Sequence, residues 1–149
     1  MTSHTARLHL NYATPQLFDL VADVESYPQF MPWVIGATIS RRLDRTIWVE
    51  MTIGTGPLRK QFSTVGVLDP PRRIDVSGDD PLFERFKQTW TFEPTPDGGT
   101  IVEYHIDFEF RSRPLQFLMG GMFADQVDRT AAAFRRRARQ LFGPSAKAI

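Results

Sequence analysis

The chain has 149 residues, no cysteine, 42% hydrophobic side chains, and 18 basic against 17 acidic ones. That length fits a single domain, 1–149, able to bury roughly 70% of its unfolded surface without covalent staples. Lack of cysteine excludes disulfides, thiolate zinc sites, iron–sulfur clusters and a cysteine nucleophile, and a formal net charge of +1 argues against DNA as a partner.

Residues 6–12 alternate, with Ala6, Leu8, Leu10 and Tyr12 on one face of a first strand. The structured core is expected at about 5–143, with His4 in a frayed N-terminus. Met1 to Leu10 has neither a signal core nor a presequence, and no apolar run reaches the ~18 residues of a transmembrane helix. A cytoplasmic protein, or one peripheral at the inner face of a membrane, is expected. Thr14-Pro15 predicts a helix capped by Thr14, with Leu17, Phe18 and Val21 as its apolar stripe. Asp23 is expected to cap a second short helix from Val24, and Pro28 and Pro32 keep the Tyr27–Trp33 segment kinked.

From Val34 to Phe110 the pattern is β. Runs at Val34–Leu43, Thr46–Thr55, Gln61–Leu68 and Arg73–Val76 are separated by short turns, which predicts an antiparallel meander. In Glu84–Glu93 one face carries Phe86, Gln88, Trp90 and Phe92. In Ile101–Phe110 one face carries Val102, Tyr104, Ile106, Phe108 and Phe110. A turn at Pro96-Asp97-Gly98 sets Trp90 opposite Tyr104, Phe92 opposite Val102 and Phe86 opposite Phe108, with Lys87–Asp107 and Arg85–Glu109 pairs outside.

Pro114 to Phe142 reads as one long helix stopped by Gly143-Pro144. Its expected stripe is Leu115, Leu118, Met119, Met122, Phe123, Val127, Ala131, Phe134, Ala138 and Leu141. This order of elements predicts an α+β helix-grip fold: a curved antiparallel sheet wrapped around a long C-terminal helix, with two short helices after the first strand.

No phosphate loop, HExxH or nucleophile elbow occurs. His105, Glu103, Asp107 and Glu109 alternate outward and read as a solvated face, and Asp79-Asp80 lacks a third ligand, so no metal site is expected. The aromatic inner face reads either as an ordinary core or as the wall of a cavity. Gly120-Gly121, which costs ~1 kcal/mol per residue in a helix, and the adaptable methionines beside it favour the cavity. Residues 111–142 hold seven Arg and two Asp, whereas residues 1–110 carry ten basic and fifteen acidic side chains. Arg129, Arg136 and Arg139 share a face, which reads as a solvated surface or as a contact for anionic lipid or RNA phosphates.

Leu17-Phe18-Asp19-Leu20-Val21-Ala22-Asp23-Val24-Glu25-Ser26-Tyr27-Pro28-Gln29-Phe30-Met31-Pro32-Trp33 resembles the signature of the coenzyme-Q-binding START-like proteins. These belong to the polyketide cyclase/dehydratase and lipid transport superfamily. Met122-Phe123, Val127, Ala133-Phe134, Arg137-Ala138 and Leu141-Phe142-Gly143 are similar to that family's closing helix. The resemblance implies a START/Bet v 1-like single lipid-binding domain and non-enzymatic carriage of a polyprenyl quinone such as ubiquinone, in support of respiration. No other cofactor is required. The cavity residues expected are Tyr27, Phe30, Met31, Trp33, Gln88, Trp90, Phe92, Tyr104, Phe108, Phe110, Met119, Met122 and Phe123. Bacterial relatives include a ribosome association toxin, and on that alternative Arg129, Arg136 and Arg139 would contact the large ribosomal subunit. A third alternative is a polyketide cyclase or dehydratase, which requires an acid–base group inside the cavity. Val34 stands where family members often have a cysteine after the Trp, so no thiol role carries over.

Overall fold

Turns too short for crossovers force each strand of the β-rich stretch to pair with its neighbour in sequence. The computed structural model describes residues 2–31, 33–55, 57–78 and 80–143, the side chains of residues 2, 55, 58 and 119–128 excepted. Its strands are β1 (Thr2–Leu10), β2 (Val34–Leu43), β3 (Thr46–Thr55), β4 (Leu58–Asp69), β5 (Arg73–Gly78), β6 (Phe83–Pro94) and β7 (Thr100–Phe110). They form one sheet in the order β1-β7-β6-β5-β4-β3-β2, every pair antiparallel. Helix α1 (Thr14–Ala22) and a 3₁₀ segment (Val24–Gln29) follow β1, and α2 (Arg113–Phe142) closes the chain. This is the helix-grip fold. No described helix is long and apolar enough to cross a membrane.

The last hairpin has the expected register: Trp90 faces Tyr104, Phe92 faces Val102, Phe86 faces Phe108, Lys87 faces Asp107 and Arg85 faces Glu109. Its turn passes through Gly98 at φ 86°, a left-handed conformation suited to glycine. Slippage by one residue would turn Phe92 and Phe108, each at most 1% exposed, to water. Irregularities in β2, at Val34/Gly36 and Ile39/Arg41, and in β6, at Phe83/Arg85, bend the sheet around the helices.

The first strand begins earlier than its hydrophobic pattern indicates. His4 is not frayed but lies in β1 opposite Ile106, and pairing continues to Thr2 opposite Phe108. The polar run Thr2–Thr5 shows no alternation because it is held by backbone pairing along β7. Thr14 does not cap α1. The N-cap is Ala13, whose backbone N–H donates to Gln16 Oε1 at 3.1 Å. Thr14 is buried instead, its hydroxyl 2.9 Å from Thr100 Oγ1, which in turn donates to the Tyr12 carbonyl at 2.9 Å. Each hydroxyl has one proton, so Thr14 is the donor to Thr100. At Asp23, the N-cap position of the 3₁₀ segment, no side-chain cap forms; its carboxylate accepts from Ser26 Oγ at 2.6 Å.

Among the described side chains of α2, Thr130, Ala133, Phe134 and Ala138 are buried. Leu118 and Leu141, expected in the stripe, are 65% and 51% exposed, whereas Leu115 and Phe142 at the two ends of the helix pack against the core. The backbone stays helical through Gly120-Gly121. At the C-terminal end Tyr12 Oη donates to the Gly143 carbonyl at 2.7 Å, fixing the end of α2 to the exit of β1.

Candidate functional site

Inward positions of β3 to β6 alternate apolar residues with two small ones, Thr64 and Gly66. The missing bulk leaves a cavity between the middle of the sheet and the α1–3₁₀ elements. Ile47, Val49 and Met51 of β3, Ile74 and Val76 of β5, and Phe86 and Trp90 of β6 form its sheet wall; Val21, Ala22, Val24 and Tyr27 close it. As it stands the cavity is far smaller than the ~300–1,000 Å³ of small-molecule sites. Free space for water-sized molecules is only about 40 Å³. A long apolar ligand therefore enters only if side chains part.

Four lining side chains carry polar atoms. Tyr27 Oη is already engaged, donating to the Val21 carbonyl. Gln88, half-buried, Thr64, buried, and the indole N–H of Trp90 supply the remaining hydrogen-bonding capacity. Tyr27 is the one titratable side chain among the described lining residues. Burial, then the proximity of Tyr104 and Asp23, pushes its phenol far above the ordinary tyrosine range. The cavity can hold apolar bulk and offer one amide, one hydroxyl and one indole N–H, with no described group that exchanges protons near neutrality.

Of the residues expected at the site, the structure brings Tyr27, Gln88 and Trp90 together on this cavity. Tyr104 packs against Trp90 with the rings tilted by 55° and their centroids 4.3 Å apart, and borders a second, tiny void beneath α2, about 10 Å³. Trp90 forms the partition between the two voids. Burial pushes the Tyr104 phenol upward as well. Phe92 packs edge-on against Phe18 at 5.4 Å, away from the cavity. Phe108 and Phe110 belong to a phenylalanine cluster with Phe62, Phe83 and Phe86, in which Phe83 and Phe110 stack at 4.7 Å. Met31 and Trp33 are core residues, and Phe30 lines a shallow surface pocket with Arg136 and Gln140. The side chains of Met119, Met122 and Phe123 lie outside the described residues.

The β3–β5 wall escaped sequence reasoning because its alternation equals that of any buried strand. Its one signal was the inward Thr64–Gly66 pair, where bulk would be expected. Arg129, Arg136 and Arg139 are exposed along α2 on the side away from the sheet, joined by Arg135. On the outer sheet face His105 Nδ1 is 2.6 Å from Thr5 Oγ1 and Nε2 is 3.7 Å from Asp107, in the open and beside no cavity.

Comparison with known proteins agrees with this architecture. Residues 10–135 match the family described as polyketide cyclase / dehydrase and lipid transport. The chain is 28% identical over 144 residues to the ribosome association toxin of Pseudomonas aeruginosa, covering 96% of this chain and 100% of that one. It is 28% identical to the mitochondrial coenzyme Q-binding protein of Dictyostelium discoideum, over 91% of this chain and 68% of that one. The solution structure of an 18 kDa Caulobacter crescentus protein superposes with a TM-score of 0.75 at 37% identity, covering 96% and 99% of the two chains. The chain belongs to the polyketide cyclase / dehydrase and lipid transport family.

Proposed function

We propose that the chain binds and carries a polyprenyl quinone or similar lipid without transforming it, in support of respiratory electron transport. The observation that carries this is the cavity's composition: apolar walls, one free amide at Gln88, and no described group that titrates near neutral pH. Fully burying one isoprene unit, about the size of a Leu side chain, contributes on the order of 1.5–3 kcal/mol, so a few units hold a lipid with few hydrogen bonds. Similarity to a coenzyme Q-binding protein supports the choice of quinone. Cyclase or dehydratase chemistry has no acid–base group to use at the described walls. Native mass spectrometry of the purified protein, followed by titration with ubiquinone, tests the reading. Bound lipid and saturable uptake are expected, and the absence of both sinks it.

A second reading is ribosome association. It draws on the exposed Arg129, Arg136 and Arg139 and on the likeness to ribosome association toxins over nearly the whole chain. It predicts salt-sensitive cosedimentation with the large ribosomal subunit, lost when these three arginines become Glu. The two readings use separate parts of the molecule, the cavity between the sheet and α1 and the exposed arginines of α2, and are compatible.

A further inference from the structure

Single exposed apolar side chains such as Leu43, Val67 and Leu141 are ordinary on a soluble surface. The start of α2 is different. Phe117 and Leu118 are neighbours in sequence, 88% and 65% exposed. Leu118 also continues an open groove with Pro81, Leu82, Pro114 and Leu115.

Lys60 and Arg111 line the same groove, and the exposed Arg113 opens the helix beside it. Nearby acids are already engaged. Glu84 lies 3.1 Å from Arg111 Nη1, and Asp80 accepts the backbone N–H groups of Ser63 and Leu82. Arg111 is fixed in place, its Nε donating to the Pro81 carbonyl at 3.1 Å. The result is a protruding aromatic and aliphatic pair within a basic rim. Phe and Leu side chains projecting from a basic rim are the combination that seats a helix in the headgroup and acyl boundary of an anionic bilayer.

We propose that this end of the molecule docks on the surface of an anionic lipid bilayer. Phe117 and Leu118 enter the acyl boundary while Lys60 and Arg113 meet the headgroups and Arg111, paired with Glu84, braces the groove. The site lies at the opposite end of α2 from Arg136 and Arg139, and it stands whichever ligand the cavity takes.

Flotation of the full chain with vesicles tests the assignment. Binding is expected to equimolar phosphatidylglycerol/phosphatidylcholine vesicles and not to pure phosphatidylcholine, weakening as salt rises. Phe117→Glu with Leu118→Glu should cut binding by at least about tenfold. Lys60→Glu with Arg113→Glu should cut it several-fold, and Arg136→Glu should leave it within about twofold. All these residues lie at least partly on the surface, and far-UV circular dichroism verifies that each variant is folded. No binding to anionic vesicles overturns the proposal, as does binding unaffected by the Phe117/Leu118 change or lost equally with Arg136→Glu. Self-association abolished by that change, without vesicle binding, would assign the patch to a second copy instead.

Discussion

Arg137 reaches from α2 across to the 3₁₀ segment, where its guanidinium carbon stands 5.3 Å from the centre of the Phe30 ring and one terminal nitrogen donates to Gln29 Oε1 at 3.1 Å. Phe30 in turn packs edge-on against Phe134 at 5.3 Å, so this arginine helps hold the kinked segment against the helix. Among the clustered arginines it is the structural one. Arg137→Ala should lower stability by about 1–2 kcal/mol, from the lost cation–π contact and hydrogen bond. Its exposed neighbour Arg136→Ala should stay within about 0.5 kcal/mol of wild type. Paired thermal melts check the contrast, and equal shifts would remove Arg137 from that role.

Trp90 gives the cavity an optical reporter. Trp48 sits on the sheet with Arg41 4.8 Å from its ring centre, and Trp33 is a core residue outside the cavity lining. Ubiquinone bound in the cavity should therefore quench mainly Trp90, and Trp90→Phe should abolish most of the quenching. Gln88→Leu should weaken quinone binding by about 2–10-fold, the worth of one net hydrogen bond, while leaving a carbonyl-free lipid unaffected. Fluorescence titrations of the two variants decide both points. Equal loss for both ligands would mean that Gln88 shapes the cavity and contacts no head group.

The hairpin register was legible in the sequence because two independent signals agree there: aromatic alternation in both strands and Pro96-Asp97-Gly98 between them. The cavity wall was not. Whether an inward residue packs or lines a void depends on sheet curvature and on where α1 lies, and neither Phe92 nor Val76 carries that information in its type. Phe92 meets Phe18 because α1 crosses β6 at that point. Thr14 was misassigned for a related reason: a capping residue and a buried hydroxyl look alike until Thr100 is brought beside it.

At the edge of the sheet, the Ser3 hydroxyl donates to Asp107 and ties β1 to β7. That hydrogen bond, with the charges of Arg85 and His105, holds the Asp107 carboxyl below the usual carboxylate range against an opposing desolvation. The folded form is thus the stronger acid. The associated stabilisation is fully present above the ordinary carboxylate range and is lost as pH falls through the lowered folded value. Ser3→Ala should move the Asp107 titration upward and make the acid side of the stability profile shallower. Carbon-detected NMR titration of the Asp107 carboxyl measures the shift directly, and an unmoved titration would assign the depression to the cationic neighbours.

Two glycines separate the needs of the fold from those of the cavity. A Cβ at Gly78 would stand 2.9 Å from Phe86 Cβ, an atom fixed to its backbone, so either the end of β5 or Phe86 must move. Gly78→Ala should therefore cost about 1–3 kcal/mol. A Cβ at Gly66 would meet Ile47 Cγ1 at 3.2 Å, and this side chain borders the void into which it can yield. The reduced freedom of the unfolded chain offsets part of that cost, by about 0.4–1 kcal/mol, so Gly66→Ala should lie within about 1 kcal/mol of wild type. Its methyl nonetheless occupies the cavity, and uptake of ubiquinone should fall. Urea denaturation combined with ligand titration separates the two effects: Gly78→Ala should lower stability more than Gly66→Ala, and Gly66→Ala should weaken binding at nearly unchanged stability. If Gly66→Ala instead bound ubiquinone like wild type, the ligand would have to occupy a region of the interior other than the Thr64–Gly66 void.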